Sequence, residues 1–227
     1  MKFRVLITGF EPFGVPVRPK NRSWEVAKLV ERLHKSNSLR LDPRKASQSY
    51  TDGPPRDIEI TIRQLPVEYE KARTLLEELH QVAEPEAVSS YDLFLHIGEG
   101  RPDLVQLETR AYRKNYLRAG NGGPADLPLN NEISGYTDEV VYPTTDIQQL
   151  VSTLNSSLAY KYVFTSNDAG RYLCEYTFYL STAMCNKYNT THPGSNQTAL
   201  FMHLPPDNGP YTDEQLAVLV HHIINLV

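Results

Sequence analysis

Short apolar runs recur along the chain, and between them lie longer segments in which apolar residues return every three or four positions. The short runs predict β-strands, and the three-to-four-residue repeat predicts amphipathic helices. The predicted strands are residues 2–9, 58–65, 91–97, 160–166 and 198–204, with a short strand or hairpin at 104–112. The predicted helices are residues 23–34, 68–82 and 171–186, a weaker one at 145–155, and a last helix that starts at Thr212 with a capping box completed by Gln215.

Strands alternate with helices from one end of the sequence to the other. This order predicts one α/β domain, residues 1–227, with a largely parallel sheet covered by helices on both faces. Two segments lack the periodicity. The polar residues 35–57 predict a surface insertion, and residues 117–138, rich in Gly, Asn, Pro and Asp, predict a long loop on the substrate side of the domain.

Composition and charge narrow the class of protein. The 227 residues carry a formal net charge of −4, and no segment is dense in Lys and Arg, which argues against nucleic acid as the main partner. No run of about 18 apolar residues occurs, so we expect no membrane span. The first residues, MKFRVLITGF, are typical of a strand rather than of a signal peptide, and we expect a cytoplasmic location.

The chain has two cysteines, Cys174 and Cys185, and both fall in one predicted helix. At a rise of ~1.5 Å per residue they would lie roughly 16 Å apart. A disulfide needs Cα atoms within about 7 Å, so the two cannot pair if the helix forms. No Cys/His spacing suits a zinc site either, and we predict no metal.

Cys174 follows a predicted strand and a turn that contains Gly170, which places it in the first turn of the next helix. In open α/β sheets the ligand lies beyond the carboxyl ends of the strands. The partial positive charge of a helix N-terminus favours a thiolate, and its free N–H groups can hold an oxyanion. The alternative interpretation is that Cys174 is a small apolar residue of the core, and the position of Cys174 alone favours this interpretation.

His203 changes that balance. It closes the predicted strand 198–204, and we expect it at the same rim of the sheet as Cys174. Histidine is the usual base for a thiol nucleophile, and a third group normally orients its ring. Glu108, Asp168 and Glu99 are all candidates for that group, and spacing does not choose among them. The residues therefore indicate a cysteine hydrolase on an α/β sheet.

Several motifs resemble those of the pyroglutamyl-peptidase I enzymes, peptidase family C15. ITGFEPFG at 7–14, followed by N-x-S-W-E at 21–25, resembles the opening of that family. SNDAGRYLC resembles the segment of the family's catalytic cysteine and matches it to Cys174. FMHLP and ETRAYRKN match the family's histidine and glutamate to His203 and Glu108. The resemblance runs from the first predicted strand to the last predicted helix.

The resemblance implies a single-domain α/β/α sandwich with a twisted, mostly parallel (mixed) sheet. It implies removal of an N-terminal pyroglutamyl (5-oxoprolyl) residue from small peptides, with no metal or cofactor. Cys174 would attack the pyroglutamyl carbonyl, His203 would keep the thiolate ionised and protonate the leaving amine, and Glu108 would orient His203. The family includes monomers and tetramers, so a homo-oligomer is left open.

The resemblance also suggests residues of a substrate pocket. Phe10 and Phe13 match aromatic residues that line the family's lactam pocket, and Arg118 matches an arginine that helps shape the oxyanion site. The competing interpretation places both phenylalanines in the core and Arg118 on a solvated surface.

Three departures from the family pattern concern the substrate side. Glu99 stands where the family has a glutamine that meets the substrate, Arg113 replaces an asparagine, and LRAGNGG at 117–123 replaces A-R-I-P-D-N. An ionised carboxylate only accepts hydrogen bonds, whereas an amide also donates. These changes fit a divergent eukaryotic branch of fungal type. Two other hypotheses stay open: a related cysteine amidohydrolase with a shifted substrate preference, and a non-catalytic binding homologue.

Overall fold

The strands and helices follow the predicted order in a computed structural model that describes residues 2–14, 16–36, 38, 56–82, 89–157, 161–206 and 211–227. The strands are β1 (Phe3–Phe10), β2 (Ile58–Leu65), β3 (Leu93–Glu99), β4 (Val105–Glu108), β5 (Ala111–Tyr112), β6 (Val140–Val141), β7 (Val163–Ser166) and β8 (Thr198–Leu204). The α-helices are α1 (Arg22–Lys35), α2 (Tyr69–Leu79), α3 (Ile147–Ser157), α4 (Leu173–Thr191) and α5 (Asp213–Leu226). Most of the predicted insertion at 35–57 lies outside the described residues.

A six-stranded mixed sheet forms the centre of the described fold, in the order β2-β1-β3-β8-β4-β7. β2, β1, β3 and β8 are parallel to one another. β4 is antiparallel to β8, and β7 is parallel to β4. The prediction of a mostly parallel, mixed sheet is therefore confirmed.

Each face of the sheet has its own apolar core. Helices α1, α3 and α5 contribute to one core, and α2 and α4 contribute to the other. The apolar residues of α5 that face the sheet are fully buried: Leu216, Leu219, Val220, Ile223 and Ile224. The capping box between Thr212 and Gln215 forms as expected. The result is the three-layer sandwich that the sequence predicts.

The segment 104–112 does not form a hairpin. β4 pairs with β7 and β8 in the large sheet, whereas β5 pairs with β6 in a separate two-stranded sheet. The long loop at 117–138 contains two short 3₁₀ helices, Pro124–Asp126 and Leu129–Asn131. Asp126 accepts a hydrogen bond from the backbone N–H of Tyr69, 2.7 Å away, and so ties this loop to the start of α2.

One expectation about strand direction is wrong. We expected Cys174 and His203 at one rim because both follow the carboxyl end of a strand. β7, which precedes Cys174, runs opposite to β8, which carries His203, so their carboxyl ends point in opposite directions. The two residues meet nevertheless, since the turn after β7 leads back over the sheet to the start of α4. No helix within the described residues is long and apolar enough to cross a membrane.

Candidate active site

A cavity of about 240 Å³ lies at the end of β3 and β8. Its lining includes nearly all of the predicted site residues: Phe10, Phe13, Glu99, Arg118, Cys174 and His203. Glu108 is buried behind His203 and reaches the cavity through that ring. The structure thus brings the predicted residues together around one space.

Cys174 is the second residue of α4 and is partly exposed to the cavity. The turn before it uses left-handed backbone at Gly170 (φ +94°) and at Arg171 (φ +49°). The N-cap residue, Tyr172, makes no side-chain hydrogen bond to the helix start, so its side chain does not occupy the first N–H groups that an oxyanion would use. Cys185 is buried farther along α4, and both cysteines are free, as the spacing predicted.

Glycine at 98 allows the sheet to approach the thiol. A Cβ at this position of β3 would lie 2.8 Å from Cys174 Sγ and 2.9 Å from the ring of Phe201. A Cβ at Gly100 would lie 2.7 Å from the Cβ of His203. These two glycines flank Glu99 in the G-E-G segment, and each leaves room for one of the two reactive side chains.

His203 bridges Cys174 and Glu108. Its Nδ1 lies 2.8 Å from Glu108 Oε1, and its ring lines the same cavity as Cys174. Since Nδ1 is engaged by the carboxylate, Nε2 is the nitrogen that serves the thiol. Burial lowers the pKa of His203, but the Cys174 thiolate and the Glu108 carboxylate outweigh burial and raise it to about 10. This arrangement favours the protonated form of the His203 ring.

The other two carboxylates considered for the orienting role are engaged elsewhere. Glu99 accepts from the guanidinium of Arg18 and, at 2.7 Å, from the backbone N–H of Arg22. Asp168 accepts from the backbone N–H of Gly170 at 3.1 Å. Among the three candidates, Glu108 is the one whose carboxylate contacts His203.

The first loop and the segment after β4 supply an aromatic and cationic wall. The Arg118 guanidinium lies 4.3 Å from the centre of the Tyr172 ring and 6.0 Å from that of Phe13. Phe10 is both a core residue, 3% exposed, and part of the cavity lining. The two interpretations of Phe10 are therefore compatible. The described residues contain no cluster of three or more His, Cys, Asp or Glu side chains suited to a metal ion.

Known proteins resemble the chain over nearly all of its length, although no protein-family model matches it. Pyroglutamyl-peptidase 1 of Mus musculus is 26% identical over 223 residues, which cover 97% of this chain and 87% of that protein. Pyrrolidone-carboxylate peptidase of Pyrococcus furiosus is 28% identical over 223 residues, which cover 94% of this chain and 83% of that protein. The solved structure of pyroglutamyl peptidase I from Bacillus amyloliquefaciens has the same fold, with a TM-score of 0.70 and 18% identity. The match covers 100% of this chain and 95% of that one.

The chain is a relative of the pyroglutamyl-peptidase I enzymes. The resemblance drawn from its motifs is thereby confirmed. The placement in a fungal-type branch stays a prediction.

Glu99, which departs from the sequence pattern of the pyroglutamyl-peptidase I enzymes, makes its own set of contacts in this relative. The Glu99 side chain is 5% exposed, and both of its oxygens accept hydrogen bonds, from Arg18 and from the backbone of Arg22. The Arg18 guanidinium also lies 4.7 Å from the centre of the Phe13 ring. The carboxylate therefore holds an arginine against the aromatic wall of the cavity.

Sequence reasoning missed Arg18 and Tyr172 at this site. Arg18 lies 81 residues before Glu99, and nothing local to either residue indicates their pairing. Tyr172 could have been predicted from the sequence, because a residue two positions before a candidate nucleophile at a helix start necessarily lies near that nucleophile.

Proposed function

We propose that this protein is a cysteine exopeptidase that hydrolyses the bond after an N-terminal pyroglutamyl residue in small peptides. The observation that carries the proposal is the buried His203–Glu108 pair next to Cys174. These residues stand in a chain related throughout its length to pyroglutamyl-peptidase 1. The 1–227 single domain, a cytoplasmic location and the oligomeric state remain predictions of the sequence.

In the first half of the reaction the Cys174 thiolate attacks the pyroglutamyl carbonyl carbon. The carbonyl oxygen takes up negative charge, which the N–H groups at the start of α4 and the Arg118 guanidinium stabilise. The C–N bond then breaks, the imidazolium of His203 gives its proton to the leaving amine, and a pyroglutamyl thioester remains on Cys174.

In the second half a water molecule attacks the thioester. His203, now neutral, takes a proton from this water, and the C–S bond breaks to release pyroglutamate and the Cys174 thiolate. Glu108 keeps the ring oriented and stabilises its charged form through both halves. The reaction written in this way needs no redox step and no external cofactor.

The cavity fits a small, flat, uncharged ring. Phe10 and Phe13 supply apolar surface for a lactam ring, and polar groups at the other side orient it. A free N-terminal ammonium would instead bring a positive charge towards Arg118, which favours a capped, neutral N-terminus.

A related amidohydrolase with a shifted substrate preference is the second candidate. The Glu99–Arg18 pair favours it, because this pair presents a charged group where relatives carry a neutral amide. A panel of fluorogenic amides separates the two candidates. We expect fast cleavage of the pyroglutamyl amide and at least about 100-fold slower cleavage of the prolyl and N-acetyl-alanyl amides. Equal or faster cleavage of the non-pyroglutamyl amides would favour the second candidate.

A further inference from the structure

A second carboxylate, Glu175, lies directly beside the nucleophile and belongs to none of the steps above. Its side chain is completely buried. Glu175 Oε1 accepts from the backbone N–H of Tyr112 at 3.0 Å and from Arg171 Nη1 at 2.7 Å. Glu175 Oε2 accepts from the backbone N–H of Arg171 at 2.7 Å and from Arg171 Nη1 at 2.6 Å. The carboxylate thus binds both the backbone and the side chain of the turn before Cys174.

Arg171 adopts a backbone conformation that a non-glycine residue seldom takes. Its φ is +49°, in the left-handed region that L-residues enter at an energetic cost. Its guanidinium lies 3.8 Å from the centre of the Tyr112 ring. The ring and the Glu175 carboxylate together hold the arginine, and the arginine holds the turn.

The two segments that Glu175 joins carry two members of the proposed triad, Glu108 and Cys174. Tyr112 lies in β5, four residues after Glu108, and Arg171 lies three residues before Cys174. A displacement of either segment would change the distance between the thiol and the His203–Glu108 pair. A misplacement of about 1 Å at a reacting atom is enough to cost a large part of the rate.

We propose that Glu175 is a positioning residue, which with Arg171 and Tyr112 fixes Cys174 against the His203–Glu108 pair. The inference rests on the proposed function for its effect on peptide cleavage, but not for its effect on the thiol itself. Arg171 also offsets the negative charge of Glu175. A buried carboxylate next to a thiolate would oppose its negative charge, and the guanidinium neutralises that carboxylate.

The test compares Glu175→Gln with the wild type. Glutamine keeps the length and one acceptor of the side chain, and Arg171 keeps the Asp168 carboxylate at 3.4 Å, but glutamine cannot accept from all of the Arg171 donors. The matched control is Glu139→Gln, which removes a carboxylate bonded to Arg113 and Lys114 beside the same small sheet. The readouts are the iodoacetamide alkylation rate of Cys174 between pH 5 and 9, and kcat and KM for a pyroglutamyl amide.

For Glu175→Gln we expect iodoacetamide to alkylate Cys174 at pH 6 about 10-fold more slowly than in the wild type, because the thiol is no longer held against the His203–Glu108 pair. We expect kcat to fall with KM little changed, while Glu139→Gln behaves as the wild type. A wild-type alkylation profile and kcat in a folded Glu175→Gln protein would overturn the inference, even if the protein is less stable.

A second variant and the alkylation readout, which needs no substrate, keep the test decisive. If Glu175→Gln does not fold, Arg171→Lys takes its place, because it keeps the positive charge and loses the planar guanidinium that lies on the Tyr112 ring. If the wild type does not cleave the pyroglutamyl amide, the proposed function fails, and the alkylation profiles still decide on Glu175.

Discussion

His203 Nδ1 lies 2.8 Å from Glu108 Oε1, with both side chains buried at the back of the cavity. This contact fixes the tautomer of the ring and directs Nε2 towards Cys174. We predict that Glu108→Gln lowers kcat for a pyroglutamyl amide by about 100-fold or more, because a neutral amide stabilises the imidazolium poorly.

The control for this prediction is Asp168→Asn. Asp168 lines the same cavity but contacts Gly170 and Arg171, not His203. Its substitution is expected to change kcat much less. A loss in Asp168→Asn as large as that in Glu108→Gln would contradict the orienting role of Glu108.

The pKa of His203 depends on the thiolate beside it. Burial lowers this pKa, and Cys174 and Glu108 together raise it to about 10. We predict that Cys174→Ala lowers the pKa of His203, because it removes the negative charge and the hydrogen bond of the thiolate. Titration of the His203 ring signals by NMR measures the change, and an unchanged pKa in Cys174→Ala would show that the two groups do not interact.

The same pKa sets the direction of two pH effects. The folded value lies above the ordinary value of 6.5, so the stability that this group contributes is fully present below pH 6.5 and is lost as the pH rises through about 10. Activity is expected to fall over the same alkaline limb, because the leaving amine loses its proton donor.

Glu99 is joined to the aromatic wall of the cavity through Arg18. Both carboxylate oxygens of Glu99 are occupied within the protein, and Arg18 lies against Phe13. We predict that Glu99→Gln raises KM about 3- to 10-fold, as expected for the loss of a charge-assisted hydrogen bond, with kcat within about twofold of the wild type.

Arg18→Ala should reproduce this effect, and the double variant should be no worse than either single variant. Glu59→Gln, which removes the exposed ion pair with Lys2, is the control and should have no effect. Additive effects of Glu99→Gln and Arg18→Ala would show that the two residues act separately.

Two histidines outside the cavity, the buried His96 and the partly buried His80, predict acid sensitivity. His96 bonds to Thr8 Oγ1 through Nδ1 at 2.7 Å, and His80 stacks on Phe94 with ring centres 3.7 Å apart. Burial lowers the pKa of His96 to about 3, and burial together with His96 lowers the pKa of His80. Both are therefore neutral in the folded protein and become protonated near pH 6.5 in the unfolded chain.

For each of these histidines the stability is present above pH 6.5 and is lost as the pH falls, by up to about 1.4 kcal/mol per pH unit. Urea unfolding at pH 7.5 and pH 5.0 measures this loss. We predict that His96→Gln reduces the difference between the two pH values. An equal difference in the wild type and in His96→Gln would mean that His96 is not part of the acid response.

The sequence was sufficient for the elements that depend on local pattern. The alternation at 58–65 coincides with β2, and the capping box at Thr212 forms at the start of α5. Strand direction was not predictable in this way, because the apolar pattern of β7 is the same whichever way the strand runs. Cys174 and His203 do line one cavity, but their strands run in opposite directions, so the reason expected for their meeting was wrong.

In the candidate site, too, the residues in local motifs were predictable and the long-range contacts were not. Cys174, His203 and Glu108 each lie in a motif that can be recognised locally. The Arg18–Glu99 pair joins residues 81 positions apart, and Tyr112 meets Glu175 across 63 positions. Such contacts follow from the three-dimensional path of the chain, which local periodicity does not encode.

The most direct test of the account is hydrolysis of a fluorogenic pyroglutamyl amide by the wild type, Cys174→Ala and Cys185→Ala. Cys185 is the matched control, because it is a free cysteine on the same helix but is buried in the core. The account predicts cleavage by the wild type and by folded Cys185→Ala, and none by Cys174→Ala. Equal cleavage by Cys174→Ala and the wild type, or none by a folded wild type, would contradict it.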